Sequence, residues 1–206
     1  SEDFAITESI SATIMMWAKP NSNGFLLSKY DNGNAGNSNF FLGIEPNGQL
    51  RISGNGTDAW DFGMSVMDSW QHIALVFNPD QEVEAFIDGL LVGSGNINLS
   101  SSVSERPLLI GQPVNLSSVD DYLNSNIDEL LIWNQALTIE QIQSHMSTPP
   151  DGNEDGLVGY WNFNEGEGST LTDLSGNGND GTIYGATWTG DVPVFGCTDP
   201  YAENYD

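Results

Sequence analysis

Residues 70–94 read WQHIALVFNPDQEVEAFIDGLLVGS. From Trp70 to Asn78, Ile73, Leu75 and Phe77 alternate with Ala74 and Val76, the two-residue period of an extended chain with both faces apolar. Glu82–Ile87 and Leu90–Ser94 follow as two short runs joined by Asp88-Gly89. That dipeptide suits a type I′ hairpin turn, whose central residues both need positive φ. A buried strand followed at once by a tight hairpin indicates an antiparallel, all-β protein.

The same signal continues on both sides. Ile10–Ala18, Gly24–Tyr30, Asn39–Glu45 and Gln49–Ser53 read as strands, with Asn47-Gly48 as a second type I′ turn. Pro107–Gly111 and Asn126–Asn134 add two more, and Leu157–Phe163, Asp173–Gly181 and Thr182–Trp188 read as late strands completing the same unit. Thr138–Met146 is the one helical stretch: Thr138 and Gln141 form a capping box, Pro149-Pro150 stop the helix, and Ile139, Ile142 and Met146 are expected to face the sheet. Evenly spaced short strands with a single helix predict a two-sheet antiparallel jelly-roll sandwich. The 206 residues suffice for one such domain, expected over residues 1–190. Residues 191–206 read as a linker or the start of a next module.

Four Lys and Arg against 29 Asp and Glu give a formal net charge of −25. Such a field repels phosphate backbones and anionic membrane surfaces, which argues against nucleic acid as a partner. It attracts cations, and hard oxygen donors suit Ca²⁺. No run approaches the roughly 18 apolar residues of a membrane-spanning helix, so membrane insertion is not expected. Ser1 in place of a start methionine, with no leader in view, leads us to expect a mature or excised piece. Cys197 is a single cysteine, expected to pair outside the chain or to stay a free thiol.

The segments SISATIMMWAKP, LLSKYDNG, DSWQHIALVFNPD, VEAFIDGLLVGSG, PLLIGQ and NIDELLIWNQALTIEQIQ occur in the order typical of laminin-G-like domains. With LVGYWNFNEGEGSTLTDLSGNGNDGTIYGATW, the chain resembles the bacterial, pentraxin-related branch of the concanavalin-A-like lectins over roughly residues 3–190. The ending GCTDPYAENYD is similar to a short motif of secreted Bacteroidetes proteins in which a second cysteine follows. That likeness implies a multi-module protein, secreted or held at the cell surface, with neighbouring modules of the same polypeptide as partners.

The resemblance also implies a calcium site. The pentraxin positions map onto Asp31-Asn32 in SKYDNGNAGN and Asp120-Asp121 in SSVDDYLN, expected together on one rim, although the full acidic run of pentraxins is lacking. Asp-Asn-Gly also serves as plain turn chemistry. The segment DGNEDG, residues 151–156, starts like a calcium loop. It lacks the bidentate Glu at position twelve, where Asn162 stands, and reads as a polar connector.

Trp60 in GNGTDAWDFGM is expected in a polar loop, and Tyr30 and Tyr122 flank the proposed calcium loops. These three rings are candidates for stacking on a sugar, with closure of the core as the other reading of Trp60. Trp17, Trp70, Trp133 and Trp161 fall in strand patterns and are assigned to the core. Asp128-Glu129 brings to mind the carboxylates of family 16 glycoside hydrolases, which share this fold. Adjacent strand residues point to opposite faces, however, which separates the pair. His72 reads as structural, and His145 as a cation at a helix C-terminus. The expected function is non-catalytic extracellular recognition or adhesion, binding glycan or a cell-surface protein with calcium as cofactor. The alternative is a structural repeat of a long adhesin or surface filament.

Overall fold

The computed structural model describes residues 11–29, 40–54, 59–80, 82–99, 107–112 and 123–194. The strands are β1 (Ala12–Pro20), β2 (Gly24–Lys29), β3 (Phe40–Ile44), β4 (Gln49–Ser53), β5 (Ala59–Ser65), β6 (Gln71–Phe77), β7 (Glu82–Ile87), β8 (Leu90–Asn96), β9 (Leu109–Ile110) and β10 (Ser125–Trp133). The helix α1 (Ile139–Ser147) and strands β11 (Leu157–Trp161), β12 (Thr170–Leu171) and β13 (Gly181–Thr182) follow.

A six-stranded sheet in the order β11-β10-β1-β6-β7-β8 faces a five-stranded sheet in the order β5-β4-β3-β2-β9. Every pairing is antiparallel. The jelly-roll sandwich expected from the strand pattern is the observed fold. Between the sheets lies one apolar core, with Ile14, Met16, Leu27, Leu42, Leu50, Ile52, Leu75 and Phe77 at its centre. Ile73, Leu75 and Phe77 point into this core, while Ala74 and Val76 serve a second cluster on the outer face of the six-stranded sheet. The alternation in residues 73–77 is therefore a strand buried on both sides.

That second cluster seats α1. Thr138 is the N-cap: its side chain accepts the Gln141 N–H while the Gln141 side chain accepts the Thr138 N–H at 2.8 Å, the expected capping box. Leu137 and Ile142 bracket the cap and are both buried against the sheet. Ile139 is not: it lies exposed on the first turn, and Leu137, just before the helix, takes the role assigned to it. Thr13 fixes the approach, donating to Gln135 O at 2.8 Å and accepting from Leu137 N at 3.0 Å.

Three local expectations are corrected. The Asp88-Gly89 turn has positive φ at both residues, as type I′ requires, but in Asn47-Gly48 only Gly48 does. There Glu45 O accepts from Gly48 N and Gln49 O from Glu45 N, a three-residue loop in which Pro46 starts the turn and Gly48 takes the left-handed position. GNGTDAWDFGM is not all loop, because its second half forms β5. Asp173–Gly181 and Thr182–Trp188 add no strand to either main sheet; a two-residue ladder, β12–β13, stands apart from both. Even so, Leu171, Ile183 and Trp188 pack on the main core.

The segment DLSGNGND works as an edge cover. Strand β11 ends the six-stranded sheet, so its outer backbone groups lack a neighbouring strand. Side chains take that strand's place. Asp173 accepts from Tyr160 N at 3.0 Å, while Asn177 Nδ2 and Asn179 Nδ2 donate to Val158 O at 3.1 and 3.0 Å. Leu174 N adds a backbone bond to Tyr160 O at 2.8 Å.

Further along the chain, Asp191 is fastened to the sandwich. Its carboxylate accepts from Lys19 Nζ at 2.8 Å, Trp70 Nε1 at 3.0 Å and Asn126 Nδ2 at 2.9 Å. Among the described residues, no helix is long and apolar enough to cross a membrane.

Candidate functional site

The two sheets leave two seams, one between edge strands β5 and β8 and one between β9 and β11. At the β5/β8 seam stands Trp60, in β5 and not in a loop, paired with the core residue Ile52. Its ring lies over Gly95 of β8, where any Cβ would overlap the indole. Its Nε1 donates to Asn96 O at 2.7 Å. Trp60 thus closes one seam of the core, yet 44% of the residue stays exposed. Trp60 is a seam cover held in one orientation, and its outer surface meets solvent. Beside it on the outward face, Arg51 grips Asp61 through two bonds of 2.6 and 2.8 Å and Glu45 at 3.0 Å.

The β9/β11 seam is lined differently. The Gly/Asn cover of β11 borders a half-open cavity of about 320 Å³, with Lys29, Ile110, Trp161, Leu171, Asn179 and Asp180 on its walls. Trp161 is held by a 3.1 Å bond from Nε1 to Asn179 O. Lys29 is fully buried, with 1% of its surface exposed. Neither Lys29 nor Asp180 was singled out by sequence pattern. A lone Lys closing an apolar strand run was the available signal.

Of the residues proposed from sequence, Trp60 alone falls within the described structure. Tyr30, Asp31, Asn32, Asp120, Asp121, Tyr122 and Cys197 lie outside the described residues. Among the described residues, no three His, Cys, Asp or Glu side chains gather as a metal would require. The loop 151–156 folds on itself, with Glu154 accepting from the N–H groups of Asp151 and Gly152 at 2.7 and 2.9 Å. The reading as a polar connector accounts for it.

The separation of Asp128 and Glu129 does not hold. Strand β10 carries a bulge at this point, and Glu129 has a φ of +49°. An inserted residue breaks the alternation. Both carboxylates now interact on the outer face of the sheet, with Glu129 Oε2 accepting from Tyr160 Oη at 2.7 Å and Asp128 Oδ1 from Glu129 N at 2.9 Å. Each residue is 7% exposed. Burial pushes the Glu129 carboxyl up to about 7, the Tyr160 bond opposing and the Asp128 charge adding. Burial likewise raises Asp128, to about 6.

The remaining expectations divide. Trp133 and Trp161 are core residues, but Trp17 and Trp70 are only half-buried at the sheet surface. His72 is structural: burial lowers its imidazole to about 3, its ring meets Trp17 edge-on, and its backbone exchanges bonds with Asp88. His145 stacks on Trp133, and burial holds it below the usual imidazole value.

Two large antiparallel sheets and one helix define a jelly-roll β-sandwich. Residues 2–143 match the family model described as the concanavalin A-like lectin/glucanases superfamily, and the chain belongs to that family. The rest of the sandwich is joined to the matched part by β11 in the six-stranded sheet. No curated protein matches the chain.

Solved structures share the fold at low identity. A Bacteroides ovatus protein described as carbohydrate binding is 18% identical with a TM-score of 0.65, covering 84% of this chain and 51% of its own. This chain thus spans about half of that protein. The CBM40 of the Ruminococcus gnavus IT-sialidase is 17% identical, TM-score 0.54, covering 66% and 82%. A heptameric SAP-like pentraxin from Limulus polyphemus is 14% identical, TM-score 0.51, covering 68% and 73%.

Proposed function

We propose that this chain is a non-catalytic, extracellular recognition module that binds glycan. The observation that carries the reading is Trp60, a fixed indole with one surface open to solvent. A ring that needs no ordering on binding stacks on a sugar at low entropic cost. The family, and solved relatives described as carbohydrate-binding, support it.

The charges narrow the ligand. Among the described cations, Lys19 is engaged by Asp191, Arg51 by Asp61 and Glu45, and Lys29 is buried and engaged within the protein. With a net charge of −25 besides, the favoured ligand is a neutral glycan recognised through hydroxyls and ring faces. The R. gnavus CBM40 has been captured with sialyllactose, an acidic sugar. The two modules would then differ in ligand charge.

Calcium at Asp31, Asn32, Asp120 and Asp121, flanked by Tyr30 and Tyr122, is part of the same proposal, as is a place outside the cell. The non-catalytic reading rests on the burial of Asp128 and Glu129. Carboxylates that cleave a glycosidic bond must flank it, and these two are closed off on the outer face of the sheet.

A glycan array with calorimetry on common neutral polysaccharides, with and without Ca²⁺, is the test. Binding that Trp60→Ala weakens is expected, and a blank array would sink the reading. Exposed Leu90 and Leu91 on edge strand β8 favour a second reading, the adhesin or filament repeat. Concentration-dependent assembly in light scattering, lost in Leu91→Lys, would favour it over the first.

A further inference from the structure

We propose that the cavity at the β9/β11 seam is a second sugar-binding site, sized for a single neutral pyranose ring. The inference rests on the glycan-binding reading and names a different place for it. The sandwich has two seams, and among the described residues they are lined differently. At β5/β8, Trp60 over Gly95 and Phe62 beside Gly93 fill the gap with rings. At β9/β11 the Gly/Asn segment lines one side of a half-open cavity of about 320 Å³. The cavity is half-open, so a ligand can reach it from solvent without displacing the core. Ligand pockets begin at roughly 300 Å³, so the space suits one small ring and not a stretch of chain.

The lining decides the chemistry. Ile110, Leu171 and Trp161 offer apolar surface, and Asn179 and Asp180 bring polar groups from the Gly/Asn segment. A pyranose has the same division, with C–H groups on a ring face and hydroxyls around the edge. Such a wall is also pre-set. Trp161 is tied to Asn179 O, Asn179 N to Asp173 Oδ2 at 2.9 Å, and Asp180 Oδ1 accepts from Asp173 N at 2.9 Å. A carboxylate can accept about four hydrogen bonds, which leaves Asp180 capacity for sugar hydroxyls. Lys29 does not turn the cavity into an anion site, because it is buried in the wall, is engaged within the protein, and sits in a strongly acidic chain.

The experiment is an amide and indole NMR titration of the whole chain with a panel of neutral methyl pyranosides. The Trp161 Nε1–H signal and the Asn179 and Asp180 amides are expected to shift with at least one sugar. Leu108→Trp, which places a ring in the half-buried cavity wall, is expected to abolish those shifts. Asp180→Asn, which keeps the acceptor for Asp173 N, is expected to raise the midpoint about ten-fold while thermal melting stays unchanged. Shifts that persist in Leu108→Trp overturn the proposal, as does a panel that moves none of the three signals. Glycan binding with shifts confined to Trp60 overturns the cavity site and leaves the module reading standing. A blank glycan array alongside a silent panel removes both.

Discussion

Asp173 Oδ1 accepts the backbone N–H of Tyr160 at 3.0 Å, so a loop side chain stands where a neighbouring strand would otherwise bond. The same carboxylate accepts from Ser175 N and Asn179 N, each at 2.9 Å. These bonds overcome the upward push of burial and hold Asp173 below the usual carboxylate range. Replacing it leaves three N–H groups without their acceptor. Asp173→Ala is expected to destabilise the fold by about 2–3 kcal/mol in urea unfolding. A loss under about 0.5 kcal/mol, the scatter of ordinary surface changes, would show that the edge cover is not held this way.

Glu129 sets a pH dependence of unusual sign. Its carboxyl is raised in the folded state from 4.5 to about 7, so the native chain binds its proton more tightly than the unfolded chain. Stability from this group is fully present below about pH 4.5 and is lost as pH rises towards about 7. Asp128 acts in the same direction. Glu129→Gln keeps an acceptor for Tyr160 and removes the titration. Its denaturation midpoint should fall less steeply between these pH values than that of the native protein, and equal slopes would refute the assignment.

Gly95 lies under the indole of Trp60, with no room for a methyl group. Gly95→Ala is therefore expected to lift the ring off the seam and weaken glycan binding, with a small loss of stability. Trp60→Phe keeps an apolar cover but has no donor for Asn96 O, and should bind more weakly than the native chain. Unchanged calorimetric affinity in both variants would exclude Trp60 from the ligand site.

The capping box makes a further prediction independent of function. Thr138→Ala should cost about 1 kcal/mol by thermal or urea unfolding, and Thr138→Ser should restore most of it. A neutral Thr138→Ala would mean that Leu137 and Ile142 alone position the helix.

For the proposed calcium loops, millimolar Ca²⁺ should raise the melting temperature and a chelator reverse it, through preferential binding to the native state. Asp120→Ala with Asp121→Ala should abolish the shift. No response of the native chain would remove calcium from the proposal.

Much of the sandwich could be read from local pattern. Period-two alternation in residues 73–77, the Asp88-Gly89 turn and the Thr138/Gln141 cap involve neighbours in the chain, and each formed as expected because its cause is local. The misreadings share the opposite property. Strand β5 carries Trp60 among Asp and Gly residues and owes its place to pairing with β4. DLSGNGND resembles a polar strand or loop until β11 lies beside it. The bulge at Glu129 needs Met15 and Trp17 of β1 opposite it to exist at all. The hydrophobic period thus decided which segments would be strands and that two sheets would enclose a core. Only the tertiary structure decided which edges meet, that an indole covers one seam while a Gly/Asn segment borders an open cavity at the other, and that two adjacent acids share a face. Such outcomes depend on groups brought together from distant positions, and no periodicity along the chain encodes the distance between them.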